Sequence, residues 1–340
     1  MVDVSLVIGG AGFIGSNLVG ELLEKGEEVI VLDSLDTGNE RNLEEFKGKP
    51  LTLHIGRVSK DSIKNIFKTQ HSFGNEIRTI YYLGMPSSSP MYKNDKSLVG
   101  RTINEAISLF EVLRKEKWDG QLVLTSSSSL YNGNPVPWHE LMPIFPKDYY
   151  TETRYAIERF AEMYADQYGI KTVALRLFSV YGEKEEFKGR YANMITQFIW
   201  AYIYDKPIFV YGLGKQARDF IYVKDVVDAF ITASKHDLED MDFTIFNIGT
   251  GRMFTFNEVL KLLALKFDVE PYYNVKYMPN PISNYVKHTL SLTHRCNRNL
   301  KWIAEHPLEK VIDKVIDYYK DLIDRGYYIY NMPKKENRIK

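Results

Sequence analysis

The sequence predicts a doubly wound α/β fold, a parallel sheet with helices on both faces, followed by a smaller lobe of mixed α/β character. Three observations point there: apolar, β-branched runs alternate with segments of helical period up to about residue 180, a glycine-rich turn follows the first run, and beyond 180 the rhythm changes. The runs are Val4 to Ile8, Glu28 to Leu32, Leu51 to Ile55, Thr79 to Leu83, Gln121 to Thr125 and Thr172 to Leu177. Near-continuous apolar strands suit a parallel sheet buried on both faces. Between them the periodicity predicts a helix from the glycine turn to about Lys25, and others near 60–68, 100–117 and 150–168, each long enough to cross between neighbouring parallel strands. The remainder predicts helices near 191–204, 224–235, 255–266 and 307–324, short strands at Ile208 to Tyr211 and Tyr273 to Tyr277, and a Pro-rich turn from Met278 to Ile282. The expected division is a first domain over 1–180 with a return segment near 213–248, a second lobe over 181–330, and a solvated tail at 331–340.

Composition narrows the class of partner. Lys plus Arg and Asp plus Glu both number 44 in the 340 residues, so no overall field draws the chain to nucleic acid or an anionic membrane. A small-molecule ligand fits better. The single cysteine, Cys296, excludes an intramolecular disulfide and a multi-cysteine metal site, and suits a reducing compartment. Histidines 54, 71, 139, 236, 288, 294 and 306 lack metal-ligand spacing, so no metal is expected. The opening MVDVSLVIGG has no basic stretch or cleavage site, and its apolar run falls well short of the ~20 residues of a membrane span. A soluble, cytoplasmic protein is expected.

The turn after the first run reads Gly9-Gly10-Ala11-Gly12-Phe13-Ile14-Gly15. Glycines there allow a tight turn and bring backbone amides against a pyrophosphate, whose charge the following helix N-terminus favours. The next run ends at Asp33, followed by Ser34, where a carboxylate is placed to hold both hydroxyls of an adenosine ribose. The same acid repels a 2′-phosphate, so the Rossmann fingerprint selects NAD over NADP as cofactor.

With strand, loop, helix and acid in order, GGAGFIGSNLV and VIVLDSLDTG resemble the opening of the extended short-chain dehydrogenase/reductase family, typified by UDP-glucose 4-epimerases. Later blocks extend the resemblance over most of the chain: LVLTSSSSLYNG, YYTETRYAIERF, VALRLFSVYG, YGLGKQARDFIYVKDVVDAF and FNIGTG. The resemblance implies a Rossmann domain with a substrate lobe, NAD as cofactor, a nucleotide-sugar as substrate, and a homodimer built through the helices near 100–117 and 150–168. It places Ser127, four residues before Tyr131, at the family's catalytic Ser/Thr, and Tyr150 at its general acid/base. A phenol needs nearby positive charge to act as a base at neutral pH. The family supplies it with a Lys one helical turn on; here that residue is Arg154, a planar fork in place of a point charge. An exposed Arg154 paired with Glu158 is the plainer alternative. Tyr149 is a competing phenol, but the position four residues after it, Thr153, carries no charge.

Further positions follow from the resemblance. Leu83 and Gly84 border the nicotinamide, where close backbone approach accounts for Gly84. The loop from Met85 through Ser89 borders the sugar, with Ser87 as a substrate contact. Ser179 stands for the family's Asn, Arg57 for its Asp near the adenine, and Arg218 is the candidate grip on the diphosphate, with Asp219 beside it to orient it or pair with it. Asp225 is expected to cap or charge the start of a helix. The 4,6-dehydratases of the family carry a carboxylate after the catalytic Thr; here Ser128-Ser129 stand there, which favours an epimerase. A dehydratase, a dehydrogenase or reductase, a UDP-sulfoquinovose synthase-like enzyme (Met278 to Pro281 with His288), and a non-catalytic NAD sensor remain the alternatives.

Overall fold

The computed structural model describes residues 4–239, 241–280 and 285–327. The expected tail at 331–340 and residues 281–282 of the Pro-rich turn lie outside the described residues. Six strands fall where the apolar runs place them: β1 (Val4–Ile8), β2 (Glu28–Asp33), β3 (Leu51–Ile55), β4 (Ile77–Tyr82), β5 (Gln121–Ser127) and β6 (Thr172–Leu177). Past them come β7 (Ser179–Tyr181), β8 (Ile208–Tyr211), β9 (Ala217–Arg218), β10 (Phe220–Tyr222) and β11 (Phe243–Ile248), then β12 (Phe254–Thr255) and β13 (Val275–Met278). β11 returns to the main sheet, which has seven strands in the order β11-β6-β5-β4-β1-β2-β3, every neighbouring pair parallel. This is a Rossmann-type doubly wound sheet whose order reverses beside β1.

Each helix buries the face that its apolar spacing dictates. α1 (Phe13–Glu24) and α7 (Val223–Ser234) pack one face of the sheet, Leu18, Leu22, Val226 and Phe230 meeting Val7, Val29 and Val31. α2 (Lys60–Ser72), α4 (Ser97–Lys115) and α5 (Tyr149–Tyr168) cover the other face, where Phe67, Phe110 and Ile157 meet Leu6, Ile30 and Leu124. Successive strand residues thus enter opposite cores, so burial on both faces removes the apolar/polar alternation of a half-exposed strand. A short helix, α3 (Ser89–Asn94), unforeseen because Pro90 opens it inside a serine-rich loop, precedes α4. The second lobe gathers α6 (Met194–Ile203), α8 (Phe256–Lys266) and α9 (Leu308–Asp324) around a third core that includes Phe198, Leu260 and Ile312. Among the described residues no helix is long and apolar enough to cross a membrane.

One buried ion pair fastens α5 to the sheet. Arg176 of β6 donates from Nε and Nη2 to both carboxylate oxygens of Glu158 at 2.9 and 2.7 Å, and both side chains are almost fully buried. Nη1 of Arg176 also donates to the Tyr131 hydroxyl at 2.7 Å, which donates in turn to Asn247 Oδ1 of β11 at 2.7 Å. Burial pushes the Tyr131 phenol up to about 12 against the pull of Arg176, so it keeps its proton for that bond. Removing one charge strands the other. Glu158→Gln is therefore expected to cost about 3–5 kcal/mol, whereas the paired replacement of Glu158 and Arg176 by Met costs less. Chemical denaturation midpoints of the single and double variants check this, and a double variant as unstable as the single would contradict it.

Candidate active site

The cleft opens beyond the carboxyl ends of β1, β2 and β4, at the point where the strand order reverses. Gly9, Gly12, Phe13, Ile14 and Gly15 line it. Gly9 has φ +86°, and a Cβ there would stand 2.5 Å from Gly84 N, so the turns after β1 and β4 meet backbone to backbone. A Cβ at Gly15 would fall 2.0 Å from Gly9 O, which only glycine avoids. α1 begins directly after Gly12, and no side chain caps it, so its first amides face the cleft free to take an anion. Phe13 also carries Lys188 over its ring at 5.2 Å, placing that ammonium at the cleft wall.

Asp33 ends β2 as expected and lines the same cleft with Ser34, Leu83 and Gly84. Its Oδ2 accepts from Ala11 N at 2.9 Å and its Oδ1 from Leu35 N at 2.8 Å. Burial raises the carboxyl above its ordinary range, and the Leu35 and Ala11 amides oppose that rise. Each oxygen keeps lone-pair capacity for a hydroxyl. An uncapped helix start, a glycine cradle that a Cβ would fill and an anchored acid fit a dinucleotide.

Tyr150 and Arg154 lie one turn apart on α5, with the Arg154 Cζ 5.3 Å from the centre of the Tyr150 ring. Asp148 starts this helix, its side chain accepting from Thr151 N at 2.8 Å and also from Ser89 Oγ at 2.6 Å, so α3 and the serine loop are tied to the turn that carries Tyr150. Tyr150 is buried against Tyr92, ring centres 5.7 Å apart, whereas Tyr149 is exposed.

Arg154 is no surface residue. It is 3% exposed, lines the cleft, and has no bond to Glu158, whose carboxylate is held by Arg176. Its fork donates from Nη1 to Thr125 O at 3.1 Å and Met85 Sδ at 3.0 Å, and from Nη2 to Pro86 O at 3.1 Å. The guanidinium thus joins the end of β5 to the loop after β4, which a compact ammonium cannot do in the same plane.

Ser127 ends β5 and accepts from Ser129 N at 3.1 Å, forming the turn Ser128–Tyr131. Accepting that bond leaves the hydroxyl proton free to donate. Ser87 lines the cleft beside Pro86. Ser179 Oγ accepts from Asn193 Nδ2 at 3.1 Å, a partner that the residue pattern did not suggest because Asn193 reads as an ordinary cap of α6. Ser127, Tyr150, Ser179 and Arg218 fall outside the cleft's lining, which follows the glycine turn, Asp33 and Arg154.

Two expectations about neighbouring charges are corrected. Asp219 does not pair with Arg218: fully buried, it accepts from Thr250 N and Oγ1 and from Gly251 and Ser291 N, holding the FNIGTG loop. Arg218 instead donates to Ala217 O at 2.8 Å and Val286 O at 2.7 Å and lies over the Tyr285 ring at 5.4 Å, its desolvation lowering its pKa. Asp225 stands in the first turn of α7, where its charge was expected, but it caps no amide of that helix, which Tyr222 precedes; it accepts from Glu305 N, His306 N and His306 Nδ1, fastening the segment before α9. Arg57, where the family's pattern has an Asp, is bound to Asp36. Asp36, Arg101 and Glu105 also line the cleft and were missed, although Arg101 and Glu105 sit at helical i, i+4 spacing. Among the described residues no group of three or more His, Cys, Asp or Glu converges as a metal site.

Residues 5–249 match the family described as the NAD dependent epimerase/dehydratase family. The chain is 32% identical over 320 residues, 93% of its length and 98% of the relative's, to a Methanocaldococcus jannaschii protein provisionally named UDP-glucose 4-epimerase. It is 26% identical over 326 residues, 94% of this chain and 70% of the other, to UDP-glucuronic acid decarboxylase 1 of Arabidopsis thaliana. Among solved structures, Thermus thermophilus UDP-glucose 4-epimerase in complex with NAD is similar with TM-score 0.82 and 26% identity, covering 96% of this chain and 100% of that one.

The Arg154 fork yields a direct test. Arg154→Lys restores the residue type usual in the family yet removes bonds between β5 and the Met85-Pro86 loop, so it is expected to lower stability by about 1–3 kcal/mol and to change nucleotide affinity. Denaturant titration and nucleotide binding check both, and a variant unchanged in each would contradict the bridging role.

Proposed function

The chain belongs to the NAD dependent epimerase/dehydratase family, and on that premise we propose that it inverts C4 of a nucleotide-hexose, a UDP-hexose first, by transient oxidation. The observation that carries the reading is the pairing of Tyr150 with a buried cation, Arg154, on one face of α5, next to a β5 end that supplies Ser127 but no carboxylate. NAD, when bound, supplies a hydride acceptor that returns what it takes. Tyr150 removes the proton of the C4 hydroxyl and gives it back, while Ser127 donates a hydrogen bond to the same oxygen. Arg154 sets a fixed positive charge beside Tyr150, held in place by its bonds to Thr125 and Pro86. Arg218 grips the diphosphate in exchange for carbonyl contacts. Ser87 and Ser179 contact the sugar.

Ser128 and Ser129 follow Ser127, so no adjacent side chain can serve as the carboxylate that elimination of water requires. The likeness to a glucuronic acid decarboxylase supports a second reading, in which the oxidised sugar carries a C6 carboxylate and loses it. A homodimer through α4 and α5 in the cytoplasm completes the proposal: these helices pack side by side, with Met163 and Tyr168 of α5 exposed. A monomer in sedimentation velocity would overturn the dimer.

Incubation with UDP-, GDP- and dTDP-hexoses and UDP-glucuronate, with products resolved by anion exchange and mass spectrometry, tests the activity. The expected product is an isomer of unchanged mass formed without consuming added NAD. Loss of carbon dioxide would favour the second reading, loss of water a dehydratase, and no product from any sugar a non-catalytic role. Tyr150→Phe is expected to lower turnover by about 100-fold or more while nucleotide binding persists; unchanged turnover would remove Tyr150 from the mechanism.

A further inference from the structure

The rim of the cleft beside Asp33 holds a set of charges that the reaction does not use. Gly56 N donates to Asp33 O at 2.8 Å, which draws the end of β3 alongside β2 and puts Arg57, the next residue, at the same rim. Nη2 of Arg57 donates to both Asp36 oxygens at 2.7 and 2.8 Å. From α4, Arg101 Nη2 reaches Asp36 Oδ2 at 3.3 Å, and Glu105 lies 3.6 Å from Arg57 Nη1. Both guanidinium groups and both carboxylates line the cleft that Asp33 lines.

Two arginines next to a ribose-holding acid are an unexpected combination. A guanidinium left free binds phosphate through two parallel hydrogen bonds, so such a pair would welcome the 2′-phosphate that Asp33 repels. Here Asp36 takes Nη2 of Arg57 with both oxygens and draws Nη2 of Arg101 to 3.3 Å, while Glu105 flanks Nη1 of Arg57. Taken with Asp33, the rim carries one negative charge in excess. That balance admits an uncharged hydroxyl and opposes a phosphate dianion.

We propose that Asp36 is a specificity residue for the adenosine end of the cofactor: by holding Arg57 and Arg101 it keeps the cleft selective for a dinucleotide with a free 2′-hydroxyl. The proposal rests on reading this cleft as the dinucleotide site. It differs from an incidental network of surface ion pairs, which would contribute little and leave selectivity to Asp33 alone.

The test is isothermal titration of NAD and of NADP into nucleotide-free wild-type protein, Asp36→Ala, Asp36→Asn, and the triple variant Asp36→Ala/Arg57→Ala/Arg101→Ala. The wild type is expected to bind NAD and to bind NADP far more weakly. Asp36→Ala and Asp36→Asn tighten NADP by about tenfold or more, the scale of one or two charge-assisted hydrogen bonds, with little change for NAD. The triple variant loses that gain, and raising the salt concentration shrinks it in the single variants.

No gain for NADP in either single variant would overturn the proposal. A gain that survives in the triple variant would also overturn it, since mere loss of repulsion would then suffice. Loss of both nucleotides in the two single variants would make Asp36 structural and overturn it as well. A wild type that binds neither nucleotide would overturn the reading of the cleft itself, a failure distinct from the others.

Discussion

The close contact between the turns after β1 and β4 is the constraint on which the rest of the cleft depends. Gly9 and Gly84 meet where any side chain on Gly9 would strike backbone, so the two strands end at one depth and the first turn of α1 opens between them. The parallel sheet makes this possible by sending all its strand ends to the same edge. Asp33 on one side and the Met85-Pro86 loop on the other then border a single groove. A larger residue at Gly9 or Gly15 would push the loop off the start of α1.

Around this contact the chain fixes Tyr150 and Arg154 by polar anchors at strand and helix ends. Arg154 joins β5 to the loop after β4, Asp148 receives Ser89 at the start of α5, and the Glu158–Arg176 pair binds the middle of α5 to β6. Tyr150 is therefore held from both ends of its helical segment. The arginine in place of a lysine is consistent with this arrangement: its fork carries the positive charge and spans carbonyls on two different elements, work for which a single ammonium lacks the reach. The same habit recurs in the second lobe, where Asp219 and Asp225 direct their carboxylates to backbone amides of neighbouring loops.

The sheet was legible because its strands are buried on both faces and read as unbroken apolar runs. β11 was not, since FTIFNI carries Thr244 and Asn247, and Asn247 is buried only because Tyr131 and the Trp138 carbonyl satisfy its amide. The glycine turn, Asp33, Tyr150 and Ser127 could be placed from local pattern and family likeness. What Arg154, Asp219 and Asp225 touch could not, because their partners lie tens of residues away in sequence and no periodicity encodes such a meeting. The charges at the rim beside Asp33 were hidden for the same reason: Asp36, Arg57 and Arg101 come from three separate segments.

In the proposed reaction a hydride leaves C4 of the sugar and returns to that carbon without reaching solvent. Incubating the protein with its nucleotide-hexose deuterated at C4 measures this most directly. The isomeric product is expected to retain the whole label at C4. Deuterium found at C6 or in water would contradict it.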